Sequence, residues 1–401
     1  MSIDAEKAYD AVYQWSEEQG FAGHDPFDGL ESRAFQVTPL KHVGLARLAW
    51  LQMVKRSSTD LRSVLQVPKG MNAKGIALFA SAELSRFRAT GAENHRQNSE
   101  AHLRKLRESA IQGSTARGEA TKAFGYNFDW QSRAFYAPKG TPTIVPTAFA
   151  ARAFIENYQL SRDDADRDFL IEICRFIVND LNRPHEDSDT VCFSYTPRDR
   201  SLIFNASLLA GETLASVGAI TGNAQYTELA LKSARYVLEN QDKNGSWAYG
   251  PKLRHKWVDN FHTAFILLSL KRIGAAVPEL NPVEAIQRGF DFWIENLFLP
   301  DGTPKYYDSA TYPVDIHSAA AAIAVLAELR DEDTRAVPLA EKVAAWTIEN
   351  MRDRDGFFYY QLRESGTVKT PFIRWGQAWM AYALAKLLEA RAAQPISVSP
   401  R

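Results

Sequence analysis

The chain holds only two cysteines in 401 residues. So few thiols exclude a disulfide framework. Cys174 lies inside an apolar helical pattern, so Cys174 and Cys192 are expected as buried free thiols of a reducing compartment. An excess of one charge is also missing. A formal net charge of −1 and a pI near 6.7 give no electrostatic footprint for nucleic acid or an anionic membrane. The apolar run at residues 265–270 is far short of the ~20 residues that a membrane span needs. The first twenty residues are polar and acidic, without the basic start and apolar run of a secretory signal, so a cytoplasmic location is expected. Strand-like alternation never lasts more than a few residues, which leaves room only for short hairpins. Compact His-x3-His and Cys-x2-Cys spacings are absent as well, and no cofactor or metal is expected. Asp259, His262, Asp315 and His317 would be the donor set if one were bound.

What the chain does contain is a unit of about 56 residues that repeats. Alanine-rich helices begin near Asn72, Pro146, Phe204, Asn260, Ile316 and Trp375, and the last four gaps are 58, 56, 56 and 59 residues. Each is preceded by an amphipathic stretch: residues 39–56, 97–113, 165–181, 224–240, 283–297 and 337–351. A helical pair cannot bury its apolar face without neighbours, so six pairs predict an all-α, closed (α/α)6 toroid over residues 1–395. Residues 3–19 read as an extra N-terminal helix, and residues 396–401 as a disordered tail. Thr38-Pro39 is the expected start of the first outer helix. Gly91 and Gly274 are the expected closing positions of two inner helices.

In such a ring every inner helix begins at one mouth, which gathers residues far apart in the chain. Asp259 and His262 stand at one helix start and Asp315 and His317 at the next. A helix-start Asp is commonly an N-cap, but a cap needs no histidine, and the recurrence makes all four candidate acid–base groups. Asp129 joins them as a possible second carboxylate beside Asp259 for glycoside hydrolysis, with Asp315 as substitute. Arg374 beside Trp375, with Gln377 following, pairs an anion-binding fork with a flat indole face; Trp130 and Arg133 repeat that combination. Tyr195 and Asn205 arrive from the third repeat. Trp247, Tyr249 and Tyr306 come from Gly-containing loops whose aromatics either pack on the outer helices or reach the mouth. Lys74 follows Asn72 at the first helix start and has no assigned role. The loop at residues 25–29 is either a lid or a packed turn.

Two resemblances add to this. Tyr236-Val237-Leu238-Glu239-Asn240-Gln241 with Gly245-Ser246-Trp247 is similar to the repeat of terpenoid cyclase and prenyltransferase toroids, although the Asp-x-Asp-Asp and Asp-x-Cys motifs of those enzymes are missing. Asp25-Pro26-Phe27-Asp28-Gly29-Leu30, the run from Tyr126-Asn127-Phe128-Asp129 to Trp130-Gln131-Ser132-Arg133, Trp257-Val258-Asp259-Asn260-Phe261-His262-Thr263, Pro304-Lys305-Tyr306 and Arg374-Trp375-Gly376-Gln377-Ala378-Trp379-Met380 resemble the VpsJ-like proteins of bacterial capsule and exopolysaccharide clusters. That resemblance implies a saccharide partner and a role in polysaccharide metabolism. The expected function is therefore a carbohydrate-active enzyme: a hydrolase, lyase or epimerase. In the lyase or epimerase case His262 or His317 would take the ring proton next to a uronate carboxylate held by Arg374. One rival is a toroid that binds glycan without turnover. Another is an isoprenoid enzyme, which predicts an aromatic cavity without a carboxylate pair.

Overall fold

A computed structural model describes residues 4–132 and 135–393, so Arg133 and the expected tail at 396–401 lie outside the described residues. Among the described residues fourteen α-helices carry the fold. They are α1 (Ala5–Glu18), α2 (Arg33–Gln36), α3 (Gly44–Arg56), α4 (Ala73–Thr90), α5 (Glu93–Ser109), α6 (Ile144–Ser161), α7 (Asp164–Asp180), α8 (Phe204–Thr221), α9 (Ala224–Glu239), α10 (Asn260–Ala276), α11 (Val283–Asn296), α12 (Ile316–Glu328), α13 (Ala336–Met351) and α14 (Ala378–Ala392). Helices α4, α6, α8, α10, α12 and α14 each pack against the next, and α14 returns to α4, closing an inner ring. The fold is the expected all-α (α/α)6 toroid.

Alanine makes the inner ring possible. Ala319, Ala320, Ala321 and Ala322 of α12 are wholly buried, and their small side chains let neighbouring helices approach on several sides. The outer helices are one-sided. In α9 the buried positions Tyr226, Leu229, Ala230, Ser233, Ala234 and Val237 follow the i, i+3, i+4, i+7 spacing of a single apolar face. Side-chain caps fix several starts: Asn72 on α4, Asp259 on α10 and Asp315 on α12. Gly91 ends α4 at φ +69°, as expected. Gly274 does not end α10; it lies inside the helix, where a Cβ would come within 2.8 Å of the Pro282 ring.

The extra N-terminal helix exists, but it is α3. Helix α1 packs against α14 and supplies the sixth outer position. The turns after the outer helices identify it by equivalence. Gly245, Gly302 and Gly356 all have φ between +90° and +98°. A Cβ at each would strike a backbone carbonyl of the following outer helix: Arg288 of α11, Lys342 of α13 and Ala11 of α1. Helix α3 instead covers the mouth, with Leu48, Leu51 and Gln52 among the residues facing the cavity below it. Strands among the described residues are two to four residues long and confined to loops, the largest set being Val314–Asp315, Gln361–Arg363 and Gly366–Val368. Among the described residues no helix is long and apolar enough to cross a membrane.

Candidate active site

The N-terminal ends of the inner helices surround a cavity of about 270 Å³. Two of its corners are built alike. At the start of α10, Asp259 accepts the backbone N–H of His262 (3.0 Å), while its second oxygen accepts the Nδ1–H of His262 (2.6 Å) and the indole N–H of Trp257 (3.2 Å). At the start of α12, one oxygen of Asp315 accepts the backbone N–H of His317 (2.8 Å) and the indole N–H of Trp375 (2.9 Å), and the other accepts from Gln361 (2.5 Å). His317 stacks on Trp375 at 4.1 Å and donates Nδ1–H to its carbonyl oxygen (3.2 Å).

These partners decide the tautomers. A carboxylate and a carbonyl only accept, so each imidazole in its neutral form carries its proton on Nδ1 and keeps a lone pair on Nε2. Burial, then Lys74 and Arg374, hold His317 well below the usual histidine range, so it is neutral. Both rings line the same cavity. Asp259 does too, and it is the one carboxylate that does so among the described residues. Asp315 does not. It is wholly buried behind Trp375, and burial raises its carboxyl above the usual range. Its place is that of a positioning group.

Other candidates divide cleanly. Trp130, Tyr195, Asn205, Tyr249, Tyr306, Arg374 and Trp375 all face the cavity. The Oδ1 of Asn205 and the Nδ1 of His255 are buried there without a hydrogen-bond partner. Tyr126 and Tyr195 share a hydrogen bond beside Arg374. Asp129, in contrast, belongs to a separate recess of about 280 Å³ with Lys41, His42 and Arg47, where it accepts from Tyr136 Oη and the Lys139 N–H, both at 2.7 Å. It does not line the cavity that Asp259 lines. Trp247 is packed under Gly289 with its indole N–H on the Val237 carbonyl (2.9 Å). Gln377 is tied at both ends of its amide to the backbone of Phe358. Both are framework, not lining.

Arg374 reaches the cavity wall, yet its fork is already filled. Nε and Nη2 donate to the two oxygens of buried Asp25 at 2.5 and 2.8 Å. Asp28 in turn pairs with Arg62 (2.7 Å), whose Nη2 donates to the Asp25 carbonyl (2.8 Å). The loop at 25–29 is therefore a packed, ion-paired turn rather than a lid. It presents Phe27, which meets Trp375 edge-on at 5.4 Å.

The residue that sequence reasoning left without a role is Lys74. It stands in the first turn of α4, is 3% exposed, and lines the cavity. The same pattern of helix-start residues that exposed the histidines also marks this position. Among the described residues no three of His, Cys, Asp and Glu are grouped so as to hold a metal ion.

No family model matches the chain, and no curated protein does. Solved structures do. The unsaturated glucuronyl hydrolase of Bacillus sp., responsible for the degradation of glycosaminoglycan, is similar with a TM-score of 0.62 at 13% identity, over 96% of each chain. Cellobiose 2-epimerase from Bacillus thermoamylovorans gives 0.60 at 12% identity, covering 80% of this chain and 88% of that one. A D-mannose isomerase gives 0.57 at 13%, covering 79% and 86%. At such identities the likeness establishes the toroid and nothing finer.

Proposed function

We propose that the protein is a saccharide epimerase or isomerase that moves a proton at the carbon next to a sugar carbonyl. The observation that carries this reading is the pair of imidazoles, His262 and His317, on adjacent inner helices with Nε2 as the remaining base in one cavity. One imidazole Nε2 removes the proton. A proton is returned either by the imidazolium so formed, to the neighbouring carbon for an isomer, or by the other imidazole after it takes one up from solvent, to the opposite face for an epimer. Asp259 fixes the tautomer of His262, and Asp315 fixes the ring under His317 through Trp375. Tyrosine and tryptophan rings suit the apolar faces of a sugar, and the unpartnered Asn205 Oδ1 and His255 Nδ1 suit its hydroxyls.

The sugar epimerases, isomerases and hydrolases among the similar folds support a saccharide ligand as analogy. The resemblance to capsule-cluster proteins supports an intermediate of polysaccharide metabolism. Hydrolysis loses its second carboxylate because Asp129 lies elsewhere. Lyase chemistry and epimerisation of a uronate both lose their clamp because Asp25 occupies the Arg374 fork, which leaves a sugar carbonyl as the activating group.

The test is mass spectrometry of saccharides incubated with the protein in D2O: cellobiose, D-mannose and exopolysaccharide repeat-unit oligosaccharides. Carbon-bound deuterium without cleavage is expected. Addition of solvent across a broken bond would make it a hydrolase, and an unsaturated product a lyase. His262→Gln and His317→Gln each lower deuterium incorporation by about 10²-fold or more. The aromatic walls with a single carboxylate favour one second reading, an isoprenoid ligand; tight binding of an allylic diphosphate with no saccharide binding would select it.

A further inference from the structure

Lysine is a costly residue to bury, because its ammonium is strongly hydrated. Lys74 is nevertheless almost fully enclosed, and among the described residues its amine makes no hydrogen bond and no ion pair. Aromatic rings surround it instead. Nζ lies 4.2 Å from the centroid of Phe149, 5.0 Å from Trp379 and 5.5 Å from Phe265. Two of those rings also hold the imidazoles: Phe265 is 6.4 Å from His262 and 6.1 Å from His317, and Trp379 is 4.9 Å from His317. One amine and two imidazoles thus share one aromatic floor. The two nearby guanidinium groups, Arg374 and Arg152, are each engaged by a carboxylate, Asp25 and Glu212. Burial, then those two cations, drive the Lys74 ammonium well below its ordinary range, while Asp25 opposes them weakly. That balance favours the free base, whose lone pair at a cavity wall is a nucleophile.

We infer that Lys74 captures the open-chain aldehyde or ketone of the saccharide as a Schiff base, from which the histidines exchange the neighbouring proton. This deepens the reading proposed above and rests on it for the proton-transfer step. The amine adds to the carbonyl carbon, forming the C–N bond. Both amine hydrogens leave with the carbonyl oxygen as water, relayed by the imidazoles. The imine nitrogen then takes a proton from solvent, relayed through an imidazole Nε2. In that iminium the adjacent C–H is acidified: a histidine Nε2 takes the proton, the electron pair becomes the new C=C bond, and the C=N pair moves to nitrogen. Return of a proton at the other face, and addition of water, release the epimer and restore the amine. No oxidant or reductant is consumed.

The experiment uses the full chain at neutral pH with D-glyceraldehyde as a small carbonyl probe, sodium cyanoborohydride as trap, and peptide mapping. Reduction of the imine leaves a stable secondary amine. Lys74 is expected to be alkylated at least about tenfold faster than surface lysines, because burial favours its free base and it lines the cavity that admits the probe. Lys55 is the internal comparison: its amine, over the Phe27 ring at 4.1 Å, is pushed down only to about 8. Labelling at Lys74 no faster than at surface lysines overturns the proposal, without any variant having to fold. Deuterium exchange into D-mannose or cellobiose is followed in parallel. Exchange without a Lys74 adduct, or exchange that persists in Lys74→Arg, removes the Schiff base and leaves proton transfer standing. A Lys74 adduct without exchange on any saccharide leaves carbonyl capture standing and removes the epimerase reading.

Discussion

At the scale of single residues, the carboxylate of Asp259 has an occupation that no amide can copy. Three donors converge on it: a backbone N–H, an imidazole N–H and an indole N–H. An amide brings only one acceptor oxygen, so its NH2 must face either the helix cap or the Trp257–His262 pair. Asp259→Asn is therefore expected to lower turnover by about 10²–10⁴-fold, because the His262 tautomer is no longer held, while the helix loses about 1 kcal/mol of capping. Deuterium-exchange rates and urea unfolding measure the two effects separately. Asp25 makes a different demand. Removing it leaves the buried Arg374 guanidinium uncompensated, and Asp25→Ala is expected to cost about 3–5 kcal/mol in urea unfolding. A double change, Asp25→Leu with Arg374→Met, should recover most of that loss; if it does not, the pair matters for something besides charge compensation. Position in the chain revealed both histidines, since a repeat can be aligned with itself. It could not reveal that the Arg374 fork was occupied, because Asp25 lies 349 residues away.

At the scale of elements, the sequence made the inner and outer helices legible to within one or two residues from α6 through α13, while α5 lies four residues earlier than its expected range of 97–113. Periodicity exposed an apolar face, and alanine content separated inner from outer. Neither signal says which element will cover a given face, and there the reading exchanged α1 and α3. Both stretches are amphipathic. In α3, however, Leu45 and Met53 remain exposed, whereas in α1 Ala5, Ala8, Tyr9 and Val12 are buried. The Tyr9 hydroxyl donates to buried Glu83 of α4, and Glu6 pairs with Arg86. Deletion of residues 1–19 thus strips an outer helix from the ring and is expected to abolish cooperative unfolding, as followed by circular dichroism. Ala49→Pro in α3 should behave otherwise. It breaks a helix that roofs the cavity, so ligand affinity falls while the thermal midpoint of the ring stays within a few degrees.

At the scale of the whole molecule, the other end of the ring is lined by charge around a cavity of about 780 Å³. Arg152 forks onto Glu212 at 2.7 and 2.5 Å, Arg272 bridges Glu212 (2.8 Å) to Glu328 (2.6 Å), and Arg88 joins Glu156 to Glu389. Against the cost of burial, Arg152 and Arg272 hold the Glu212 carboxyl down to about 2, below its usual 4.5. A depressed carboxylate stabilises the fold above its unfolded pKa and loses that contribution as the pH falls toward the folded one. Acid sensitivity is accordingly expected between about pH 4.5 and 2, on the order of 3 kcal/mol for this group. Glu212→Gln should flatten the dependence of the urea midpoint on pH in that window; an unchanged slope would show that another group sets it. The pairing of α1 with α14 has a further, temporal consequence. Helix α14 also closes on α4, where Arg88 and Glu389 pair across 301 residues, so the helix that finishes the circle is made after every other helix of the ring. Until then the nascent chain is an arc with two apolar ends, so a prematurely terminated product is a sticky one. By the same logic, a chain with its old ends joined and new ones opened at a distant outer loop should still complete the circle.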